Sequence, residues 1–281
     1  MIKVAVVILN FNVRDLALKC VDTVRKSTYQ NTEIILVDNA SSDGIAEEIL
    51  KYKDIRFIRN EKNLGYSGGN NAGIKKALED GADFVLVLNP DTTIDKNCIK
   101  NLVDGMEKNN ADIVGPKIYF SKSKKIWYVG GILDLNNVIG KHRGVDEEDK
   151  GQYDDDSGTD FVSGAAIMIK REVFEKIGFF DDRYFLYYED SDFCYRAKKT
   201  GFKIFYTPQA VVYHENAKST GLGSPLQDYY ITRNRMLFAS KFLPLRTRFA
   251  LFREALRNLE NPMRRLAFWD FLTGNFGKGS I

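Results

Sequence analysis

Residues 4–17 read VAVVILNFNVRDLA, and the fold turns on how this stretch is understood. The apolar run Val4–Leu9 is the right length for a buried strand. It is too short for a signal-peptide core, and no apolar run in the chain approaches the ~18 residues that span a bilayer. Asn10 and Asn12 follow, and Val13–Lys26 then sets Leu16, Cys20, Val21 and Val24 at helical spacing. A strand feeding a helix, with Asp38 after the second strand, invites a dinucleotide-binding reading. That reading needs closely spaced glycines in the first turn, so that the backbone can approach a pyrophosphate. ILNFNVRDLA (8–17) contains none, and the P-loop pattern is also missing.

Outward from this unit the alternation continues. Glu33–Val37, Ile55–Ile58, Phe84–Leu88 and Ile113–Val114 read as strands, and Gly44–Lys51, Asn71–Glu79 and Asp95–Lys108 as helices. Such alternation predicts an α/β fold with a mixed, mostly parallel central sheet flanked by helices. Asn10, Asn12, Asp38, Asn39, Asn60, Asn89 and Asp91 all fall just beyond strand ends, where open α/β sheets bind ligands. After Gly115 the character changes. Ile118–Gly144 reads as an irregular hairpin region, and 146–156, with seven Asp or Glu, as a solvated mobile loop. Residues 161–169 predict a strand, Arg171–Ile177 and Ser191–Thr200 helices, and Phe202–Tyr206 and Ala210–Tyr213 two further strands. From Pro225 the chain reads as helical.

The 281 residues are 44% hydrophobic and 28% charged, ordinary globular composition, and a net charge of +3 gives no reason to expect nucleic acid. The charge is uneven: Lys241–Trp269 holds seven Lys or Arg against two Glu. Three cysteines, at 20, 98 and 194, lack metal-ligand spacing and read as core residues of a chain in a reducing compartment.

Three places carry candidate chemistry. In FVLVLNPDT (84–92), Pro90 stiffens the backbone in front of Asp91 and keeps it on one edge with Asn89. A carboxylate aimed from a rigid element suits Mg²⁺ or Mn²⁺, which take one or two carboxylates plus phosphate oxygens; a turn or helix cap is the structural alternative. Glu189, Asp190 and Asp192 lie at a helix start behind several Phe and Tyr. They could cap the helix, or one could be a desolvated general base. His214 ends an apolar strand, whereas His142, in a polar Gly-rich segment, reads as a surface residue.

Together these segments resemble the family 2 glycosyltransferases of the GT-A type nucleotide-diphospho-sugar transferase fold, most closely the rhamnosyltransferase-like branch. The resemblance runs from Val4 to about Arg235 and rests on VVILNFN (6–12), VDNASSDG (37–44), NLGYSGGNNAG (63–73), LNPDT (88–92), the long segment 164–197, VVYH (211–214) and RNR (233–235). It implies a metal-dependent, inverting transfer of a sugar, rhamnose by family analogy, from a dTDP- or UDP-linked donor to a glycan or polyprenyl-linked glycan hydroxyl. By that similarity Leu9, Asn10, Asn12, Asp38, Asn39, Ser41, Asn63, Gly65, Asn70, Asn89, Asp91 and Arg233 meet the donor. Asp38 takes the N3–H of uracil or thymine, and Arg233 reaches toward the diphosphate. Asp91 and His214 hold the metal, Asp190 is the base, and Glu189 and Gly164 contact the acceptor. Asn89 departs from the family's DxD motif, leaving one carboxylate there.

Processive synthases of this kind carry Gln-x-x-Arg-Trp and membrane spans. Residues 227–236, QDYYITRNRM, contain no Trp, which favours single addition. The expected division is a catalytic domain, 1–222, with a nucleotide-binding half (1–115) and an acceptor half (116–222), and a helical C-terminal extension (223–281). In that extension Leu245, Phe249, Phe252, Leu256 and Leu259 repeat at helical spacing, opposite Arg246, Arg253 and Arg257. They form a packing face, or a surface for anionic membrane at the inner face of a cell membrane. The rival readings are a sugar-1-phosphate nucleotidyltransferase, which needs a basic Gly-rich loop after the first strand, and a non-catalytic carbohydrate-binding relative.

Overall fold

The computed structural model describes residues 1–215 and 223–281, and the expected boundary at 222/223 falls at the edge of the segment outside the described residues. In chain order the elements are β1 (Val4–Asn10), α1 (Arg14–Arg25), β2 (Thr32–Asp38), α2 (Ile45–Glu48), β3 (Ile55–Arg59), α3 (Gly65–Glu79), β4 (Phe84–Leu88), β5 (Thr92–Ile94) and α4 (Cys98–Lys108). There follow β6 (Ile113–Phe120), β7 (Ile126–Tyr128), β8 (Gly131–Asp134), β9 (Ile139–His142), β10 (Ser157–Gly158), β11 (Ala166–Lys170), α5 (Arg171–Ile177), α6 (Glu189–Lys199), β12 (Ile204–His214), α7 (Pro225–Phe242), α8 (Leu245–Arg257) and α9 (Pro262–Thr273).

The sheet order is β10-β12-β6-β11-β4-β1-β2-β3. β1 lies parallel between β2 and β4, and is buried on both faces. Its alternate residues feed two cores: Val4, Val6 and Ile8 pack with α1 and α4, while Ala5, Val7 and Leu9 pack with α3, α5 and α6. Burial on both faces is why the strand reads as one unbroken apolar run.

Two antiparallel strands bring the second half of the chain to the ends of the first. β11 runs against β4 with Ala166 opposite Leu88, so Gly164 and Ala165 stand beside Asn89, whose N–H donates to the Ala165 carbonyl at 3.0 Å. β12 pairs antiparallel with β5, His214 opposite Thr92.

α3 begins at Gly65, six residues earlier than the sequence predicts. Its glycines are poor helix formers, but packing requires them. A Cβ on Gly69 would lie 2.5 Å from Leu9 Cδ1, and one on Gly73 2.5 Å from Val7 Cγ1. The two strands expected at 202–206 and 210–213 are one, β12, with a register shift between Thr207 and Val211.

The acidic segment 146–156 is not simply solvated. Asp149 and Asp154 accept from buried Lys117 at 2.7 and 2.6 Å, and Asp156 pairs with Lys108. Against the cost of burial, hydrogen bonds from Lys117 and Tyr119 bring the Asp149 carboxyl down to about 2.

α8 packs with part of its expected face, Phe252 and Leu259 lying against Met236, Ala255 and Phe268. It buries Leu251 and Ala255, and leaves Leu245, Phe249 and Leu256 exposed.

Candidate active site

Asn10 closes β1 beside Asp38 at the end of β2, and both are fully buried. Asp38 Oδ1 accepts from the Ser41 N–H at 3.1 Å and from Asn10 Nδ2 at 3.5 Å. Asp38 Oδ2 is buried without a hydrogen bond, although the half-exposed Arg59 guanidinium stands 3.5 Å away. A buried acceptor without a donor is unfavourable, and a ligand N–H would satisfy it. Asn10 Nδ2 also donates to Ser41 Oγ and Asp43 Oδ2. Asn12, at φ 56°, accepts from the Ser42 N–H at 2.8 Å.

An amide belt continues the wall. Asn39 donates to Asn63 Oδ1 at 2.8 Å and to the Gly65 carbonyl at 3.1 Å, and accepts from Asn60 and the Leu64 N–H. Asn63 Oδ1 in turn accepts the Gly65 N–H at 2.8 Å, where α3 starts. Asn70 lies within α3, donating to the Tyr66 carbonyl. Gly65 sits at φ 72° with no room for a Cβ, which would meet the Phe185 carbonyl at 2.4 Å.

At the end of β4, Asp91 and His214 are both buried and meet, with His214 Nε2 3.1 Å from Asp91 Oδ1. His214 Nδ1 is buried without a hydrogen bond. The ring lies edge-on to Trp127, centroids 4.5 Å apart, and His142 meets Trp127 at 4.4 Å. His142 is therefore not the surface residue its sequence context predicts. Burial pushes its pKa down to about 4, so the imidazole is neutral, with Nδ1 3.2 Å from the Trp127 carbonyl. Among the described residues no three His, Cys, Asp or Glu gather into a closed metal cage. The carboxylate suits a hard cation such as Mg²⁺ or Mn²⁺ that would complete its shell with phosphate oxygens and water, while the imidazole is a softer ligand than Mg²⁺ prefers.

The third corner is the start of α6. Asp190 is half-buried; Oδ2 accepts the Gly164 N–H at 3.0 Å and Oδ1 the Ser191 N–H at 2.6 Å. Burial raises its pKa, against these hydrogen bonds. Burial, and then the nearby Asp190 charge, push Glu189 well above the carboxylate range, and its Oε2 is buried without a hydrogen bond. Asp192 instead holds the fold together. It is fully buried and takes Tyr184 Oη at 2.9 Å, Arg196 Nε at 2.7 Å and Lys241 Nζ.

Arg233 is not placed as a diphosphate contact. It is fully buried between α7 and the chain's last residues, donating to the Arg183, Tyr184 and Asn275 carbonyls and the Tyr229 hydroxyl. Tyr66, passed over in the sequence, bridges two corners: its N–H meets the Phe185 carbonyl and its hydroxyl the Gly164 carbonyl, each at 2.6 Å. It lies inside NLGYSGGNNAG, so the motif marked it. Nothing in the sequence marked Trp127.

The model of the family described as "Glycosyl transferase family 2" matches residues 5–178, more than half of the chain. The chain belongs to glycosyl transferase family 2. The transferase is 31% identical, over 73% of its length and 66% of the relative's, to the low-salt glycan biosynthesis hexosyltransferase of Haloferax volcanii. It is 28% identical, over 75% of its length and 72% of the relative's, to a dTDP-rhamnosyl transferase of Shigella flexneri. An N-acetylglucosaminyl-diphospho-decaprenol L-rhamnosyltransferase of Mycobacterium tuberculosis is 27% identical over 69% of this chain and 70% of the other. These place the transferase with the rhamnosyltransferase-like branch.

Two solved structures share its GT-A type fold. GalNAc-T7 with UDP, GalNAc and Mn²⁺ superposes at TM-score 0.64 and 20% identity, covering 83% of this chain and 48% of that one. S. aureus TarS in complex with UDP-GlcNAc superposes at TM-score 0.60 and 15% identity, covering 96% and 72%. Family membership makes the transferase an enzyme of glycosyl transfer from a nucleotide-sugar, and sets aside the nucleotidyltransferase and non-catalytic readings.

Proposed function

We propose that the transferase moves one sugar, with inversion and the aid of Mg²⁺ or Mn²⁺, from a dTDP- or UDP-linked donor to a hydroxyl of a glycan or lipid-linked glycan. The observation that carries this reading is Asp190, a carboxyl with raised pKa held by two backbone N–H groups, one of them that of Gly164, which stands beside Asn89. A general base works best with a pKa near the operating pH, and burial moves a carboxyl that way.

On this reading the pyrimidine N3–H donates to Asp38 Oδ2, the buried oxygen that has the Arg59 guanidinium at 3.5 Å but no hydrogen bond. Cytosine, with no hydrogen at N3, is rejected. Asn10, Asn12, Ser41, Asn39 and Asn63 line the nucleoside, with Leu9, Gly65, Asn70 and Asn89 around it. Asp91 and His214 hold the cation, which when bound neutralises charge on the leaving diphosphate. Asp190 accepts the acceptor's hydroxyl proton as that oxygen attacks the anomeric carbon from the face opposite the diphosphate. Glu189, kept protonated by burial, donates a hydrogen bond to the acceptor sugar beside Gly164. The relatives' names favour rhamnose and a lipid-linked acceptor.

The extension fits a peripheral position on the inner face of a membrane. Leu245, Phe249 and Trp269 are exposed on α8 and α9, among Arg246, Arg253, Arg257 and Arg265, a pairing that binds anionic lipid. Among the described residues no helix is long and apolar enough to cross a membrane. A thermal-shift screen of dTDP- and UDP-sugars with and without Mn²⁺ tests the proposal. A donor at 100 times its Kd stabilises by ~2.7 kcal/mol; a metal-dependent shift is expected with a pyrimidine donor. No shift with any of them contradicts the reading.

A further inference from the structure

We infer that Asn234, in the C-terminal helix α7, is a positioning residue for Asp190. It shapes the loop that aims the base, so the extension is part of the catalytic apparatus. The inference rests on the reading of Asp190 as the base.

The loop before α6 has an unusual backbone. Phe185, Tyr187 and Tyr188 lie in the left-handed region at φ 63°, 68° and 75°. Side chains of this size rarely adopt it, and such geometry persists only where its surroundings over-determine it. Asn234 supplies much of that determination. It is fully buried, and its Nδ2 donates to the carbonyls of Tyr184, Leu186 and Tyr187 at 2.8, 2.8 and 2.9 Å. Arg233 Nε donates to Asn234 Oδ1 at 3.1 Å, which fixes the direction in which the amide faces. Arg233 also donates to the Arg183 and Tyr184 carbonyls at 3.2 and 3.1 Å. One turn earlier on α7, Tyr230 stacks on Phe185, with ring centroids 5.4 Å apart and planes at 18°.

The loop is tied to the base from its other side as well. The Phe185 carbonyl accepts the Tyr66 N–H, the Tyr66 hydroxyl donates to the Gly164 carbonyl, and the Gly164 N–H donates to Asp190 Oδ2. The carbonyl of Tyr188, the last left-handed residue, accepts the Asp192 N–H at 2.8 Å and so opens the helix that carries Asp190. Asn234 and Gly164 thus hold the two ends of one hydrogen-bonded circuit around the carboxylate. An amide whose two N–H groups are shared among three carbonyls of one loop has no equivalent in a carboxylate of the same shape, whose oxygens would repel them.

The test is Asn234→Asp in the full chain beside Asp190→Asn, measured by Mn²⁺-dependent hydrolysis of dTDP-rhamnose, UDP-glucose and UDP-GlcNAc and by calorimetric binding of dTDP and UDP. A displaced reacting group costs up to ~100-fold in rate. Expected for Asn234→Asp is a fall in kcat of ~10-fold or more, unchanged nucleotide Kd, and an acid limb of the kcat–pH profile moved to lower pH as water reaches Asp190. Wild-type kcat and pH profile in Asn234→Asp, with Asp190→Asn inactive, overturns the inference and leaves the base reading standing. Equal loss of nucleotide binding and rate shows a merely structural role and also overturns it. An active Asp190→Asn removes the base reading and the inference with it. If Asn234→Asp does not fold, Asn234→Ser, which deletes the same three hydrogen bonds, is judged by the same criteria.

Discussion

His214 Nε2 stands 3.1 Å from Asp91 Oδ1 although 123 positions separate the two in sequence. The antiparallel pairing of β12 with β5 brings them together, His214 opposite Thr92. A buried acid and imidazole in direct contact supply two donors, and the proposed cation would take the rest of its shell from phosphate oxygens and water. Asp91→Asn and His214→Ala are expected to abolish or weaken the extra thermal stabilisation that Mn²⁺ adds to UDP or dTDP. The nucleotide's metal-free shift should persist in both. Full Mn²⁺ dependence in Asp91→Asn would place the cation elsewhere.

Asp38 makes a separate prediction about the nucleobase. Its Oδ2 is buried without a hydrogen bond, and a nucleobase N–H that fills it gains a charge-assisted hydrogen bond, worth about 1.5–3 kcal/mol. Asp38→Asn is expected to weaken UDP binding by roughly 10- to 100-fold, on 1.4 kcal/mol per decade, while narrowing the preference for UDP over CDP. Calorimetry with both nucleotides checks this. An unchanged UDP/CDP ratio would remove Asp38 from base recognition.

His142 predicts a pH dependence of stability. Burial lowers its pKa from 6.5 to about 4 in the folded chain. The unfolded chain binds the proton first, so the stability that neutral His142 permits is complete above pH 6.5 and is lost as pH falls toward 4. At about 1.4 kcal/mol per unit the loss approaches roughly 3 kcal/mol. Urea unfolding between pH 4 and 7 should show this slope in the wild type and a flatter one in His142→Phe. Parallel curves for the two proteins would show that His142 does not cause it.

Gly73 tests why α3 is rich in glycine. Alanine is favoured over glycine inside a helix by about 1 kcal/mol. Here its Cβ would lie 2.5 Å from Val7 Cγ1 and 2.8 Å from Val37 Cγ2, and overpacking costs about 1–3 kcal/mol. Gly73→Ala is therefore expected to destabilise the fold by up to about 2 kcal/mol in urea titration. A stabilised variant would mean that the close approach of α3 to the sheet is not needed.

The strands were legible because burial on both faces leaves an unbroken apolar run, as in β1 and β4. The ends of those strands, with Asn10, Asp38 and Asp91, were legible for the same reason: each apolar run stops at a polar residue. What sequence could not give was partnership. The early start of α3 was hidden because glycine disfavours helix, and its reason lies in Leu9 and Val7 on another element. The acids at 149 and 154 look solvated until Lys117, more than thirty positions away, is found buried between them. Arg233 matched a motif position, yet its guanidinium faces carbonyls of the 183–184 loop. His142 gave no sign of burial because its cover, Trp127, comes from a different strand.

Removal of the acceptor proton by Asp190 is the step on which the proposed chemistry depends. It is measured most directly by the single-turnover rate of sugar transfer or donor hydrolysis in Asp190→Asn, beside the Kd for nucleotide plus Mn²⁺. The rate is expected to fall by about 10²–10⁴-fold with the Kd unchanged. A rate within a few-fold of wild type, or a Kd that worsens in step with the rate, contradicts a base at this position.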